Sequence, residues 1–194
     1  MNIWPEDFDY HGVHMRVAPL TMDHLEGLQQ ASAEGDLHEL WVTGIPTPSN
    51  MKAEIERRLA LRRQGSMLPF TVFDPDGRPC GQTTYMNIDA DNKRIEIGST
   101  WYAKRVQRTG VNTECKLALL TNAFETIDCI AVEFRTHFMN HASRNAIERL
   151  GAKQDGILRS HMLWNGTLRD TAVYSIIAAE WPTVKLNLQN KLNR

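Results

Sequence analysis

The stretch from Gly98 to Leu120, GSTWYAKRVQRTGVNTECKLALL, constrains the fold more than any other part of the chain. Before it, Arg94 to Tyr102 alternates. Ile95, Ile97 and Trp101 are expected on one face, and Arg94 and Glu96 on the other. A basic link, Ala103 to Gly110, follows, and a helix is expected from about Asn112 to Thr126 with Leu117, Leu120, Phe124 and Ile127 on one stripe. A helix N-terminus presents unpaired N–H groups and a partial positive charge. Gly110 lets the backbone turn sharply or approach a ligand, and Arg105 and Arg108 add positive charge. The combination is a candidate diphosphate cradle. Spacing alone fits an ordinary strand–helix connection with solvated arginines better. It excludes G-x-x-x-x-G-K-[ST] and G-x-G-x-x-G loops.

Around this unit the chain reads as a mixed α/β sheet. A first strand is expected over 14–20, then helices carrying Leu25 and Leu28, and Met51, Ile55 and Leu59. Thr21 and Ser49 are their candidate N-caps, and the stretch from Glu34 to Pro48 reads as loop. Strands over 69–73 and about 80–87 flank the turn Asp74-Pro-Asp-Gly77. Further on come a β-rich run over 130–136, a short helix with Ala146, Ile147 and Leu150 ending at Gly151, and a hairpin of 157–164 and 171–178 around Asn165-Gly166. Trp181-Pro182 breaks the chain before a closing segment with Val184, Leu188 and Leu192 at helical spacing. The order implies one domain over 1–194. Its core covers about 12–180 and its tail 182–194, and its sheet has about seven mostly antiparallel, twisted strands with a single central βαβ passage.

Composition removes whole classes of function. Twenty-two Lys plus Arg against 23 Asp plus Glu give a net charge of -1, without the basic excess of a dedicated nucleic-acid binder. No apolar run approaches the ~20 residues of a membrane span. Cys80, Cys115 and Cys129 form no Cys-x-x-Cys pair, so free thiols are expected. The seven histidines are scattered and no metal site is expected. The acidic, aromatic start MNIWPEDFDYHG has no secretory pattern, and a cytoplasmic location is expected.

At the level of motifs the chain resembles the GNAT superfamily of acyl-CoA-dependent N-acyltransferases, and within it the branch of Rim-type, ribosomal-protein N-terminal acetyltransferases. Gln107-Arg-Thr-Gly110-Val-Asn112 is similar to the family's [QR]-x-x-G-x-[GA] phosphate loop, and Thr113-Glu114 continue it as in the Rim-type branch. Arg94-Ile-Glu-Ile-Gly98 resembles the strand before that loop. Asn140-His-Ala-Ser143, followed by Glu148-Arg-Leu-Gly151-Ala152, resembles the Asn-x-x-Ser helix that ends in glycine. The likeness covers about residues 12 to 180 in the right order. Two departures stand out. Asn112 replaces a Gly or Ala, and Ala146, Ile147 and Glu148 occupy the region where many members carry a tyrosine acid.

The resemblance implies a GNAT-like fold and acetyl transfer from acetyl-CoA to a primary amine by direct attack in a ternary complex, without metal. The acceptor would be a peptide N-terminus or a small amine. The loop would hold the diphosphate through Gln107, Arg108, Thr109, Gly110, Val111, Asn112 and Thr113. The pantetheine arm would run along Trp101 and Tyr102 toward Asn140, and an amide near Trp101 would serve the oxyanion. Glu96 is the candidate base, with a cross-strand salt bridge to Arg94 or Arg135 as the competing reading. Ser143 is the candidate acid for the thiolate, with helix capping as the competing reading; Asn140 has the same competitor. His137, His161, Asp170 and Tyr174 fit structural roles better than substrate contacts, and a Cys115–His137 nucleophile pair finds no supporting motif. The missing tyrosine raises a non-catalytic acyl-CoA-binding module as the alternative, and a structural protein without cofactor is a third reading. The loop 34–48 and the hairpin 157–178 are expected to decide between an open peptide groove and a closed pocket. A homodimer is left open.

Overall fold

The computed structural model describes residues 5–193. Eight strands form one sheet in the order β1-β2-β3-β4-β5-β6-β8-β7. The strands are β1 (Tyr10–His11), β2 (Arg16–Pro19), β3 (Met67–Phe73), β4 (Pro79–Asp89), β5 (Arg94–Tyr102), β6 (Ala131–His137), β7 (Lys153–Trp164) and β8 (Thr167–Ile177). All neighbours pair antiparallel except β5 and β6. That parallel pair is the expected βαβ passage, crossed by α3 (Val111–Thr121). The remaining helices are α1 (Leu25–Ser32), α2 (Met51–Arg63), α4 (His141–Leu150) and α5 (Trp181–Leu192). The eighth strand is the two-residue β1, too short to leave an alternation in the sequence.

Strand parity places the helices. Successive residues of β4 point to opposite faces. Thr84 takes a hydrogen bond from Arg58 of α2 (2.9 Å), whereas Thr83 takes one from Lys116 of α3 (3.1 Å). The two helices therefore cover opposite faces. Tyr85, on the α3 face and fully buried, donates its hydroxyl to the Leu119 carbonyl (2.5 Å). Tyr174 on the same face is held by Arg144 and Glu148 of α4, so α4 lies on the α3 side.

Turn chemistry fixes the connections. Asn165 and Gly166 both have positive φ (47° and 79°), the I′ geometry that matches strand twist in a two-residue hairpin. Gly151, at φ 110°, closes α4 as expected. Pro182 sits in the first turn of α5, where its missing N–H costs nothing. Trp181 stacks on Phe124 (5.3 Å) and donates to Glu125, docking α5 against the end of α3. Thr21 is the N-cap of the 3₁₀ turn Met22–His24 that leads into α1, as expected, but the cap before α2 differs. Thr47, not Ser49, accepts from the Asn50 amide before α2.

β5 contains the irregularity that makes the site. Its register against β4 runs Ile97 to Tyr85 and Gly98 to Thr84, then jumps to Trp101 opposite Gln82. One extra residue is inserted at Ser99–Thr100, and Ser99 takes φ 48°. The insertion inverts parity downstream. Trp101 thus points to the α2 face with Glu96, not with Ile97 as strict alternation predicts, and donates its indole N–H to Gln82 (3.0 Å). Two buried cations hold the bulge. Arg58, 2% exposed and paired with Glu54, donates to the Ser99 carbonyl (3.3 Å) from one face. Lys116 reaches Thr100 (3.0 Å) from the other.

Candidate active site

β5 and β6 pair only over Arg94–Ala131, Ile95–Val132 and Glu96–Glu133. Beyond that point the bulge carries β5 away, and the two strands splay. A cavity of about 940 Å³ fills the opening. Its walls include residues 97–102 of β5, 134–137 of β6, the loop before α3, and α4 from Ala142 to Leu150. Splayed strands connect the two faces of the sheet. The α3 and α4 N-termini approach from one side, and Glu96, Arg135 and His137 face the other.

The loop before α3 is held by its own side chains. Thr109 Oγ1 donates to the Val106 carbonyl (2.7 Å) and accepts from the Val111 amide (3.3 Å). Gln107 donates to the Tyr102 carbonyl (3.1 Å). Among the described residues, the backbone amides of Arg108, Thr109, Gly110, Asn112 and Thr113 have no protein acceptor. Five donors thus stand at the start of α3, and Arg108, Thr109 and Asn112 among them line the cavity, an arrangement suited to an anion. The left-handed position is Arg108 (φ 62°), whereas Gly110 has an ordinary φ of -67°. Glycine is needed at 110 for another reason. A Cβ there would meet the His14 ring at 2.7 Å. Arg105 does not join the cradle. Its guanidinium pairs with Glu34 and with Asp74 (3.2 Å) and donates to the Pro79 carbonyl. Arg108 is exposed and, among the described residues, has no carboxylate partner.

Behind the loop stands a lock that the sequence motif does not announce. Glu114, 5% exposed, accepts the amides of Val13 (3.0 Å), His14 (2.6 Å) and Met15 (3.1 Å) from the β1–β2 turn. A Cβ on Gly12 would strike that carboxylate at 2.4 Å. The turn is thereby seated on α3, with His14 against Gly110.

The proposed chemical groups fall at the splay. Glu96 is 5% exposed; Oε2 accepts from Asn87 Nδ2 (2.6 Å) and lies 3.7 Å from Arg135. Of the two anticipated salt-bridge partners, Arg135 is present; Arg94 faces Glu133 instead (3.8 Å). Glu96 Oε1 has no donor among the described residues. Burial raises the Glu96 pKa above its usual value, while the Asn87 hydrogen bond and Arg135 act in the opposite sense. Asn140 is the N-cap of α4, its Oδ1 accepting from the Ser143 amide (3.0 Å). Capping therefore falls to Asn140, and the Ser143 hydroxyl, on the cavity wall, makes no hydrogen bond among the described residues. Tyr102 lines the cavity, but its hydroxyl is buried beside Cys115 under α3, where burial drives its pKa well up.

The remaining candidates are structural in their contacts. His137 is 6% exposed, accepts from the Met139 amide and lies edge-to-face with Trp41, and burial lowers its pKa. His161 bonds to Thr171, and Asp170 holds Arg159 and the Ser160 amide across the hairpin. Burial pushes the Cys115 thiol up, so it is no ready nucleophile. His137 and His141 stand four apart in sequence but divide between the end of β6 and the start of α4. Among the described residues no group of three or more metal-binding side chains assembles, and no helix is long and apolar enough to cross a membrane.

Sequence reading missed Lys116, which is 5% exposed and lines the cavity. It sits in the run Cys-Lys-Leu-Ala-Leu-Leu, and a lone cation in so apolar a helical stretch is the signal that could have found it. Among the described residues its Nζ meets only the Thr83 and Thr100 hydroxyls, and burial lowers its pKa from 10.5 to about 8. Between those values the unfolded chain binds the proton and the folded one does not, so this group's contribution to stability rises with pH across the window. The difference corresponds to about 3 kcal/mol. Cys80 and Cys129, pushed up to about 12, act in the opposite direction between 9 and 12, so a comparison between variants is required. The stability difference between Lys116→Met and the parent is expected to shift by about 3 kcal/mol in the parent's favour from pH 8 to pH 10.5, because the variant loses the titrating ammonium together with its hydrogen bonds to Thr83 and Thr100. Urea unfolding at several pH values measures this; a pH-independent difference would show that the ammonium is not desolvated.

A family model described as an acetyltransferase (GNAT) domain matches residues 14–153. The chain belongs to the GNAT acetyltransferase family. YdaF of Bacillus subtilis (strain 168), named provisionally as a ribosomal N-acetyltransferase, is 34% identical over 106 residues. That match spans 55% of this chain and 57% of the length of YdaF. The [ribosomal protein uS5]-alanine N-acetyltransferase of Escherichia coli (strain K12) is 24% identical over 140 residues, 69% of this chain and 70% of that protein. The crystal structure of a GCN5-related N-acetyltransferase from Brucella melitensis superimposes with a TM-score of 0.88 at 30% identity, covering 97% of this chain and 86% of that one. The resemblance drawn from the phosphate loop and the Asn-x-x-Ser helix, including its Rim-type branch, is borne out, as is the mixed, mostly antiparallel sheet flanked by helices.

Proposed function

We propose that this GNAT acetyltransferase takes its acetyl group from acetyl-CoA and passes it to a primary amine. The observation that carries the reading is the set of five amides at 108, 109, 110, 112 and 113, unpaired among the described residues, in a loop whose Arg108, Thr109 and Asn112 line a cleft opened by the β5 bulge. They fit the diphosphate of coenzyme A, with Arg108 supplying charge and Gln107 keeping the loop in place. Trp101 and Tyr102 would flank the pantetheine arm, chiefly through backbone, and Asn140 would meet it at the α4 cap. The acceptor enters from the opposite face. Glu96 Oε1 takes the proton from the ammonium, the amine nitrogen bonds to the acetyl carbon, and the C–S bond breaks. Ser143 gives its hydroxyl proton to the departing sulfur, replacing the absent tyrosine, and regains one from the attacking nitrogen as that nitrogen becomes the neutral amide, while the proton held by Glu96 leaves to water.

The acceptor is either a peptide N-terminus, as the relatives' names suggest, or a small amine. Closure at the acceptor end favours the small amine or a terminal residue. Trp164 Nε1 of the β7–β8 hairpin donates to the Trp41 carbonyl (2.7 Å), so hairpin and loop meet as a roof.

The test has two parts. Free thiol release from acetyl-CoA with an amine panel is expected; tight binding without release on any amine would support the non-catalytic module instead. Asn112→Asp should weaken acetyl-CoA binding about tenfold to a hundredfold, because a carboxylate then faces the phosphates across a few ångströms. The same change leaves folding intact, since an acid in the first helical turn suits the helix dipole. Unaltered affinity in calorimetry would remove the cradle from the diphosphate.

A further inference from the structure

The cavity wall is charged far out of proportion to the chain. The chain's net charge is -1, yet Arg108, Lys116, Arg135, Arg149 and Arg169 line the cavity and, among the described residues, Glu96 is its one carboxylate. Some of this charge has a partner. Arg135 is paired with Glu133 and faces Glu96. Arg108 stands at the donor loop, and Lys116 is tied to two threonines.

Arg169 of β8 has none of these explanations. It is two residues from Thr171, which pairs with His137, so it lies on the face shared by Glu96, Arg135 and His137. Its guanidinium sits over the Trp164 ring, 5.5 Å from the centroid, beneath the roof made with Trp41. No carboxylate lies within 4 Å of it among the described residues, and its Nε is shielded from solvent without a hydrogen-bond acceptor. A shielded donor left unmade is costly, and a planar fork over an aromatic ring is the geometry that receives a carboxylate through two bonds.

Building on the acetyltransferase reading, we propose that the acceptor amine carries a carboxylate, which Arg169 receives at the roofed end of the cavity while Glu96 receives the ammonium. The acceptor is thus zwitterionic at its reacting end. Its carboxylate is either the α-carboxylate of a free amino acid or the side chain of an acidic residue next to a peptide N-terminus.

Matched acceptors test this by thiol release from acetyl-CoA. One arm compares free L-amino acids with their α-carboxamides. The other compares the amidated dipeptides Ala-Asp and Ala-Asn. In at least one arm the carboxylate member should exceed its neutral isostere by tenfold or more in kcat/KM, chiefly through KM. Arg169→Gln should bring that ratio to within about twofold of one, and Arg169→Lys should restore part of it. Equal rates within both pairs, release with no member of either, or a ratio that survives Arg169→Gln would overturn the proposal. Acetyl-CoA binding measured in parallel separates the two failures. Retained binding without a carboxylate preference defeats only the acidic acceptor, whereas absent binding defeats the acetyltransferase reading itself.

Discussion

Glu114→Ala is expected to cost about 3–5 kcal/mol of folding stability, a loss in the range of breaking a buried charged hydrogen-bond network. Three consecutive amides, of Val13, His14 and Met15, converge on one carboxylate that is itself 5% exposed. Hydrogen bonds to a charged acceptor are worth about 1.5–3 kcal/mol each. Water can reach the Val13 amide in the variant, since Val13 is 82% exposed, but Met15 is 2% exposed and its amide would stay unmet. At this chain length the melting temperature should fall by roughly 8–15 °C. Glu114→Gln should recover only part of the loss, because its amide nitrogen would face donors. The seated turn also places His14 against Gly110, so acetyl-CoA binding should weaken in both variants. Denaturant titration with an unchanged m-value checks the stability; a shift below about 1 kcal/mol would show that the turn does not depend on the carboxylate.

What the sequence could and could not reveal follows from how each feature is encoded. β5 was legible to its ends, Arg94 and Tyr102, because a half-buried strand writes its period into the residue types. The bulge within it was not. Ser99 adopts φ 48° without being glycine, and its cost is met by Arg58 on its carbonyl, 41 residues away in sequence. No local pattern encodes that, and the face assigned to Trp101 was wrong in consequence. In the sequence Arg58 and Lys116 look like ordinary charged helix residues: Glu54 gives Arg58 a neighbour on its own helix, and the remaining partners are threonines and a carbonyl on distant strands. Arg105 read as a phosphate ligand because Glu34 and Asp74 lie 71 and 31 residues away. The loop of free amides before α3 and the Asn140 cap are legible because both are short-range devices, a helix start and a side chain closing on its own third residue. β7 extends back to Lys153 beyond the expected Ile157, since an exposed edge strand carries no burial alternation to mark its beginning.

Glu96→Gln is expected to lower kcat by about 10²–10⁴-fold, the range for removing a positioned general base. The substitution preserves shape and keeps an acceptor for Asn87 Nδ2, so the fold and acetyl-CoA affinity should hold. The decisive readout is the pH profile. Burial raises the Glu96 pKa, so in the parent the acid limb of the rate should turn above the ordinary carboxylate range, with activity rising as the carboxylate loses its proton. The variant should lose that limb and retain only the ionisation of the acceptor amine. A salt bridge to Arg135 that served structure alone would predict the reverse, with a lower melting temperature and an unchanged profile. The partners at the site already weigh against that role. Arg135 has a closer carboxylate in Glu133, and at 3.7 Å Glu96 is its looser contact. The Oε1 atom, without a donor of its own, is the one left to receive a proton from the acceptor.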